Sequence, residues 1–161
     1  MEQPTRVELL KKLWFLQNDA YDLMVEYDSM PHRYGEYMLY QAEAHVIDLI
    51  ALYPEITVTD LASILRISPS ACSQTVRKLR EKGFVEQLRN RCNNRQLKLR
   101  LTDLGQGLYQ DHAAFNADCQ ARTFARLNEF SDDDITTYIR IQERINEAYA
   151  DDVRRSRDHF R

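Results

Sequence analysis

The spacing of apolar residues between positions 57 and 101 is helical twice in succession and then strand-like. Thr57, with a carboxylate three residues later, predicts a capped helix start, and Ser68 followed by a proline predicts a second start. Gly83 stands where the second helix should end in a left-handed cap. The pattern therefore predicts two helices joined by a tight connection.

The second of these helices has two chemically different sides. Cys72, Val76 and Leu79 follow i, i+4 and i+7 spacing, which predicts a stripe that packs inward. Hydroxyl, amide and cationic side chains share the other side, and such groups can contact base edges and phosphates in the major groove of DNA. We call this side the recognition face, and it consists of Ser70, Ser73, Gln74, Arg77 and Lys78.

A basic hairpin follows the second helix. Residues 84–88 have the composition of a strand, and residues 97–101 alternate apolar and basic side chains as its partner strand should. The turn between them, residues 89–95, carries three arginines. A helix-turn-helix followed by such a hairpin is a winged helix, and we call the hairpin the wing.

Four short sequence motifs follow one another along the chain. Residues 43–50 read Glu-Ala-His-Val-Ile-Asp-Leu-Ile, residues 68–70 read Ser-Pro-Ser, residues 79–85 read Leu-Arg-Glu-Lys-Gly-Phe-Val, and residues 101–105 read Leu-Thr-Asp-Leu-Gly. Together they resemble the MarR family of bacterial transcriptional regulators, and the first motif is similar to the second helix of that family. The resemblance covers roughly residues 35–115, and it implies a winged helix-turn-helix that binds DNA as a homodimer.

The tip of the wing departs from the family pattern. The family usually carries Asp-Arg-Arg at this point, whereas this chain has Asn93, Asn94 and Arg95. Only the second arginine of the pattern is kept. The resemblance therefore does not supply the usual internal salt bridge of the wing or its first arginine.

Helical spacing of apolar residues continues on the N-terminal side. It predicts a helix over residues 5–28 that leaves only a narrow polar face, a break at 29–31, and a second helix over 35–53 that is ended by Pro54. A terminal helix so rich in apolar residues needs a partner surface.

Two more helices are predicted after the wing. Thr102 should cap a helix that reaches about residue 128, and a capping box at Ser131 should start the last helix. Gly105 and Gly107 weaken the first turns of the former, and we expect close approach to a neighbouring helix as the reason. Both helices carry long apolar series, so we expect them to pair with a second copy of the chain.

The predicted fold is mainly α with a small β-hairpin wing (α+β), with six helices and a two-stranded wing. The expected domains are an N-terminal dimerisation helix over 1–34, a winged helix-turn-helix over 35–104, and C-terminal dimerisation helices over 105–161. A two-fold dimer presents two recognition helices about one helical turn of DNA apart, which predicts a palindromic operator.

The distribution of charge supports a nucleic-acid partner. Residues 68–101 hold nine Lys or Arg and two Glu, a net charge of +7, although the whole chain has a net charge of −3. The rest of the chain therefore carries −10. A positive patch on an acidic body fits binding to double-stranded DNA better than scattered solvated charges do.

Specific DNA contacts can be assigned to residue types. Ser70, Ser73, Gln74 and Arg77 are the predicted base-reading residues, because amides pair with adenine and guanidinium groups with guanine. Thr59, Ser68 and Lys78 are predicted to contact phosphates of the DNA backbone. The wing should reach the minor groove or its phosphates. The wing residues assigned to this role are Arg89, Arg91, Asn94 and Arg95.

Several other classes of protein are disfavoured. No nucleophile–base motif, phosphate-binding glycine loop or zinc-protease motif occurs, so we expect neither an enzyme nor a cofactor. Three cysteines without close pairs do not form a disulfide framework; Cys72 fits the core, and Cys92 in the wing is the candidate for a redox switch. Without a long apolar run or a signal sequence, we expect a cytoplasmic protein with no membrane partner.

A small-molecule effector is a further hypothesis. Tyrosines cluster between residues 21 and 53, and the candidate ligand residues are Tyr37, Tyr40, His45 and His112. Zinc-sensing members of the resembled family use histidines of the same two helices, which makes a zinc-responsive regulator an alternative. Asn116, one turn after His112, is a poor zinc ligand, so a hydrogen-bonded pair of interior histidines with no metal is expected instead. A winged helix that docks proteins is the other alternative.

Overall fold

A computed structural model describes residues 3–89 and 97–159. Within them the chain forms six helices and two hairpins, and the mainly α fold with a small β-hairpin wing is confirmed. The elements are α1 (Arg6–Ser29), β1 (Pro31–Tyr34), β2 (Tyr37–Tyr40), α2 (Gln41–Leu52), α3 (Val58–Leu65), α4 (Pro69–Glu81), β3 (Val85–Arg89), β4 (Leu97–Leu101), α5 (Asp103–Arg126) and α6 (Asp132–His159). Two compact units are present, Met1–Asn116 and Ala117–Arg161.

The hydrophobic core lies in the first unit, between α2 and the winged helix. Every apolar residue that is buried in the described part of the chain falls between Tyr34 and Leu108. The inward stripe predicted for α4 is confirmed, because Cys72, Val76 and Leu79 are all buried. Burial of each such side chain contributes roughly 1.5–3 kcal/mol, so this core is sufficient to fix α4 against α2 and α3.

The prediction of a single helix over residues 35–53 is wrong. Residues 31–40 form an antiparallel hairpin with the two-residue turn Gly35-Glu36, and α2 begins only at Gln41. Gly35 adopts φ +58°, a left-handed conformation that suits glycine and closes the hairpin. Leu39 is buried as expected, but Met38 and Ala42, which helical spacing turned inward, are exposed.

The start of α5 is tied to the end of α4 by Thr102. Its hydroxyl donates to the carbonyl of Gly83 at 2.6 Å and accepts from Gly105 N at 3.1 Å, so the predicted cap is present. A Cβ on Gly105 would lie 2.0 Å from the Phe84 carbonyl oxygen. The close approach is therefore to the backbone before the wing and not to a helix, and at Gly107 no close approach exists.

The helices at the two ends of the chain, α1 and α6, contain no buried residue. Large apolar side chains of α1, including Leu10, Trp14 and Leu23, are more than half exposed. In α6, Tyr138 and Ile139 are exposed to the same degree. None of the helices in the described ranges is long and apolar enough to cross a membrane.

Candidate nucleic-acid interface

The connection between α3 and α4 is short because one residue takes a left-handed conformation. Arg66 has φ +55° and ends α3, with its N–H directed to the carbonyls of Ala62 and Ser63. Ser68 then caps α4 by accepting from Ala71 N at 3.2 Å, and Pro69 occupies the first helical position. Because proline has no N–H to lose there, the chain turns sharply without an unsatisfied group.

The C-terminal end of α4 is closed as predicted at Gly83. This glycine has φ +81°, and its N–H donates to the Arg80 carbonyl at 2.9 Å. The N–H of Phe84 donates to the Leu79 carbonyl at 3.0 Å. These two bonds form a Schellman motif, and they place the buried Phe84 directly after the helix.

The recognition face lies opposite the buried stripe and is exposed along its whole length. Ser70, Ser73, Gln74, Arg77 and Lys78 are all exposed. Arg77 makes an ion pair with Glu81 at 3.8 Å, but both side chains are about two-thirds exposed and are free to rearrange. A row of hydroxyl, amide and cationic groups on a rigid helix can donate and accept hydrogen bonds to a nucleic acid.

Two further residues assigned to phosphates lie at helix starts. Thr59 is exposed in the first turn of α3. Ser68 uses its oxygen as the acceptor for the N-cap bond of α4, which leaves the hydroxyl hydrogen as its donor. Both groups are at the end of a helix where backbone N–H groups point outward, a favourable place for an anion.

The wing is anchored to the segment before α3. Its strands pair in register from Val85 opposite Leu101 to Arg89 opposite Leu97. The N–H of Leu99 donates to the Ile56 carbonyl at 2.8 Å, and Thr57 forms an isolated β-bridge with Lys98. The base of the wing is therefore fixed relative to α3.

Two basic residues of the wing have carboxylate partners within the protein. Arg100 pairs with Glu86 on the opposite strand at 2.6 Å, and Lys98 pairs with Glu55 at 2.6 Å. Neither pair was predicted from the sequence. The register of the hairpin could have revealed the first pair, whereas Glu55 reaches Lys98 only through the tertiary fold.

Three predicted contacts of the wing, Arg91, Asn94 and Arg95, lie outside the described residues, as does Cys92. Arg89 is the last residue of β3, and the structure describes its backbone but not its side chain. The DNA contacts assigned to these four residues remain predictions.

Residues 39–96 match the model of the MarR family, a segment that runs from β2 to the residue before β4. This central segment is similar to the MarR family. No curated protein sequence matches the chain.

Solved structures with the same fold include MarR-family proteins. The zinc-responsive member ZitR of Lactococcus lactis superposes with a TM-score of 0.74 at 17% identity, over 88% of this chain and 99% of that one. The adhesin competence repressor AdcR of Streptococcus pyogenes gives 0.60 at 20% identity, over 88% and 97%. A ZitR mutant in complex with DNA gives 0.68 at 18% identity, over 83% and 94%. At these identities the likeness establishes the fold.

The two candidate histidines lie in different surroundings. His112 on α5 is 1% exposed, with its Nδ1 2.8 Å from Asp48 Oδ1 and its Nε2 3.1 Å from Asn116 Nδ2. A neutral ring that donates from Nδ1 and accepts at Nε2 satisfies both partners. His45 is exposed, its ring centroid is 6.5 Å from that of His112, and its Nε2 contacts Gln41.

An aromatic cluster surrounds His112 on the other side. The Tyr34 ring packs edge-on against His112 at 4.9 Å and against Phe115 at 5.1 Å, and the Tyr34 hydroxyl donates to Gln41 Oε1 at 2.8 Å. The cluster and the histidine together join the first hairpin and α2 to α5. The arrangement is that of an interior hydrogen-bond network.

The two candidate tyrosines lie on β2 and point to different surroundings. Tyr37 is half-buried, with its ring edge-on to Phe84 at 5.0 Å. Tyr40 is exposed and precedes α2. Ligand binding by Tyr37, Tyr40, His45 and His112 remains a prediction, and the structure joins only the two histidines through their ring contact.

Cys72 is buried in the inward stripe of α4. Burial raises the pKa of its thiol, because an apolar environment disfavours the thiolate. The thiolate is the reactive form of cysteine, so this residue acts as a small apolar core residue.

Proposed function

We propose that this protein is a sequence-specific, DNA-binding transcriptional regulator that acts as a homodimer. The observation that carries the proposal is the exposed recognition face on a helix whose opposite side is fully buried. A helix held rigidly on one side and lined with hydrogen-bonding groups on the other suits insertion into the major groove. The similarity to the MarR family and a DNA complex of a protein with this fold support the same conclusion.

Each contact has a separate task in this proposal. Ser70, Ser73, Gln74 and Arg77 read base edges, whereas Thr59, Ser68 and Lys78 hold phosphates. The wing adds contacts to the minor groove or its phosphates from Arg89, Arg91, Asn94 and Arg95. Because Lys98 and Arg100 already have carboxylate partners, we assign the attraction of the wing to its tip.

Dimerisation follows from the exposed apolar side chains of the end helices. Residues such as Leu10 and Trp14 in α1, and Ile139 in α6, are each about half exposed, so each of the two helices has apolar surface that a monomer would leave in water. A second copy of the same chain supplies a matching surface by two-fold symmetry. Two recognition helices related by that symmetry require a palindromic operator.

Repression with release by an effector completes the proposal. A regulator that occupies an operator blocks transcription, and AdcR, which shares this fold, is described as a repressor. A small ligand releases the protein only if it binds the DNA-free arrangement of the dimer more tightly than the bound one. We propose that this ligand binds near Tyr37 and Tyr40 of the first hairpin, His45 of α2 and His112 of α5.

Selection from a pool of random duplexes tests the proposal. The wild-type protein should enrich a palindromic sequence, and Gln74→Ala should relax the preference at one base pair of each half-site by roughly 1–3 kcal/mol. Arg95→Ala should instead weaken binding to all sequences and reduce the salt slope by about one phosphate contact per subunit. Binding that is insensitive to salt and without a palindrome indicates the protein-docking alternative.

A zinc-responsive regulator is the alternative raised by the likeness to ZitR. Within residues 3–89 and 97–159, no three histidine, cysteine or carboxylate side chains are grouped to hold a metal ion. His112 already has a protein partner at each ring nitrogen, which disfavours its use as a ligand. We expect DNA binding to be the same with zinc and with a chelator. A zinc-dependent affinity that is lost in His112→Gln would establish the alternative.

A further inference from the structure

The end of the recognition helix α4 is attached to α2 by an ion pair. Lys82 Nζ lies 2.9 Å from Glu43 Oε1, and these residues are 39 positions apart in the chain. The Glu43 side chain is 10% exposed and that of Lys82 is 41% exposed. The pair therefore has one buried carboxylate and one ammonium at the edge of solvent.

Both carboxylate oxygens of Glu43 have a partner within the protein. Its Oε2 accepts the backbone N–H of Tyr40 at 3.1 Å and caps α2, while its Oε1 accepts from Lys82. A buried carboxylate that loses its cation is strongly unfavourable, because its charge is then uncompensated in a low-dielectric site. The fold therefore holds Lys82 in place through Glu43.

A second contact acts at the same end of the helix. Lys82 is the C-terminal cap residue of α4, and two positions later the buried Phe84 receives the edge-on ring of Tyr37. Tyr37 lies on β2, and Glu43 lies in the first turn of α2, which follows β2 directly. The C-terminal end of α4 is thus held at two points, whereas its recognition face has no comparable ion pair to another element in the described residues.

We propose that Lys82 is a positioning residue that sets the orientation of α4 through Glu43, and that it does not contact DNA phosphate. This inference rests on the DNA-binding function proposed above. Lys82 is one of the nine basic residues of the positive patch, so the charge pattern alone assigns it to phosphate. The ion pair with a buried carboxylate assigns it to the interior, and makes α2 the element to which the recognition helix is attached.

Two single substitutions distinguish these roles by the sign of their effect. Glu43→Gln keeps an oxygen for the Tyr40 cap, since glutamine also serves in capping boxes, but removes the charge that holds Lys82. If Lys82 positions the helix, Glu43→Gln and Lys82→Met both weaken binding, by roughly threefold to thirtyfold, and leave the salt slope unchanged. If Lys82 contacts phosphate, Glu43→Gln frees it and strengthens binding, and Lys82→Met reduces the slope.

The experiment uses the full-length protein and a duplex selected by the wild type from a random pool. Titrations at several salt concentrations give the affinity and the slope, and thermal unfolding confirms that each variant is folded. Lys78→Met is the matched control on the same helix, because Lys78 is on the recognition face and its removal should reduce the slope. Lys82→Arg retains the ion pair and should recover most of the affinity.

The double variant completes the test. Positioning through one pair predicts that Glu43→Gln with Lys82→Met binds no more weakly than the weaker single variant. Additive losses, an unchanged or tighter Glu43→Gln, or a reduced slope in Lys82→Met overturn the inference while leaving the proposed function intact. A wild-type protein that selects no duplex overturns the proposed function, and the inference with it.

Discussion

The winged helix and the end helices use similar apolar patterns in opposite ways. The side chains of Val76 and Leu79 on α4 are buried almost completely within the chain, whereas no residue of α1 or α6 is buried. The apolar side chains of the winged helix thus pack against one another within the chain. Large apolar side chains of the end helices remain about half exposed. The same periodicity thus accompanies a core in one region and, as we propose, a dimer interface in the other.

The strongest way to break this comparison is to charge the end helices. Ile139→Asp places a carboxylate among the exposed apolar residues of α6, where a second copy is proposed to pack. We expect the dimer to dissociate and DNA affinity to fall by about 10²–10⁴-fold, because the two recognition helices then bind separately. Light scattering gives the mass in solution, and DNA titration gives the affinity.

Thr137→Asp is the matched control for that substitution. It adds the same charge to an exposed, polar position two residues away on the opposite side of α6, and we expect both mass and affinity to remain those of the wild type. A monomeric wild-type protein, or an Ile139→Asp variant that stays dimeric, would refute the assignment of α6 to an interface.

The next largest effect is expected from shortening a core side chain, which lowers the free energy of unfolding. Leu79→Ala removes a fully buried side chain from α4 and should reduce the free energy of unfolding by about 2–5 kcal/mol. Ile139→Ala should instead show a loss that depends on protein concentration, because its partner is proposed to be a second copy. Urea denaturation at two protein concentrations separates them. If the loss of unfolding free energy depended equally on protein concentration in both variants, the distinction between the core and the end helices would be refuted.

Much of the winged helix could be predicted because its signals are local. Ser68, Thr102 and Gly83 fix helix ends by hydrogen bonds within four residues or by a single backbone conformation, and each was predicted in its observed role. The first hairpin could not be predicted from periodicity. Residues 38–42 satisfy helical spacing, and what decides the hairpin is the left-handed Gly35 together with tertiary packing of Tyr34 and Leu39.

The candidate interface was predictable in its residue types and less so in its charge. Exposure of the recognition face follows from the buried stripe on the other side of α4. The net charge of the positive patch, however, was counted over residues 68–101 alone. Lys82 and Lys98 pair with carboxylates outside that range, far from them in the sequence. Such pairs depend on how α2 and the wing are placed, and no spacing rule within one element reveals them.

Substitutions at two glycines of α5, Gly105 and Gly107, test how closely this helix approaches the segment before the wing. Gly105→Ala would place a Cβ 2.0 Å from the Phe84 carbonyl oxygen, and because that atom is backbone the cost should be about 1–3 kcal/mol. Gly107→Ala meets nothing within 4 Å and should stabilise the protein by roughly 0.5–1 kcal/mol. Thermal unfolding of the two variants measures both effects. A neutral Gly105→Ala would contradict the close approach of α5 to the segment before the wing.

The smallest expected effect is a dependence of stability on pH that both regions should share. Asp60 in α3 accepts hydrogen bonds from the side chain and backbone of Thr57, and these bonds lower the pKa of its carboxyl group. Hydrogen bonds from the side chain and backbone of Ser131 likewise lower the pKa of Asp134 in α6. A lowered pKa means that each carboxylate stabilises the folded state fully above its ordinary pKa, and that this contribution is lost as pH falls through the lowered pKa.

Asparagine variants of the two carboxylates separate the regions. Asp60→Asn should unfold at a lower temperature than the wild type at about pH 7, and the difference should shrink as the pH is reduced to about 3. Asp134→Asn should follow the same pH trend, but with a size that depends on protein concentration, because α6 is proposed to be stable only against a second copy. A difference for Asp60→Asn that grows on acidification would mean that its hydrogen bonds favour the protonated acid, contrary to the capping geometry. If Asp134→Asn has an effect independent of concentration, then α6 is stabilised within its own chain, and the contrast between the core and the end helices fails at that helix.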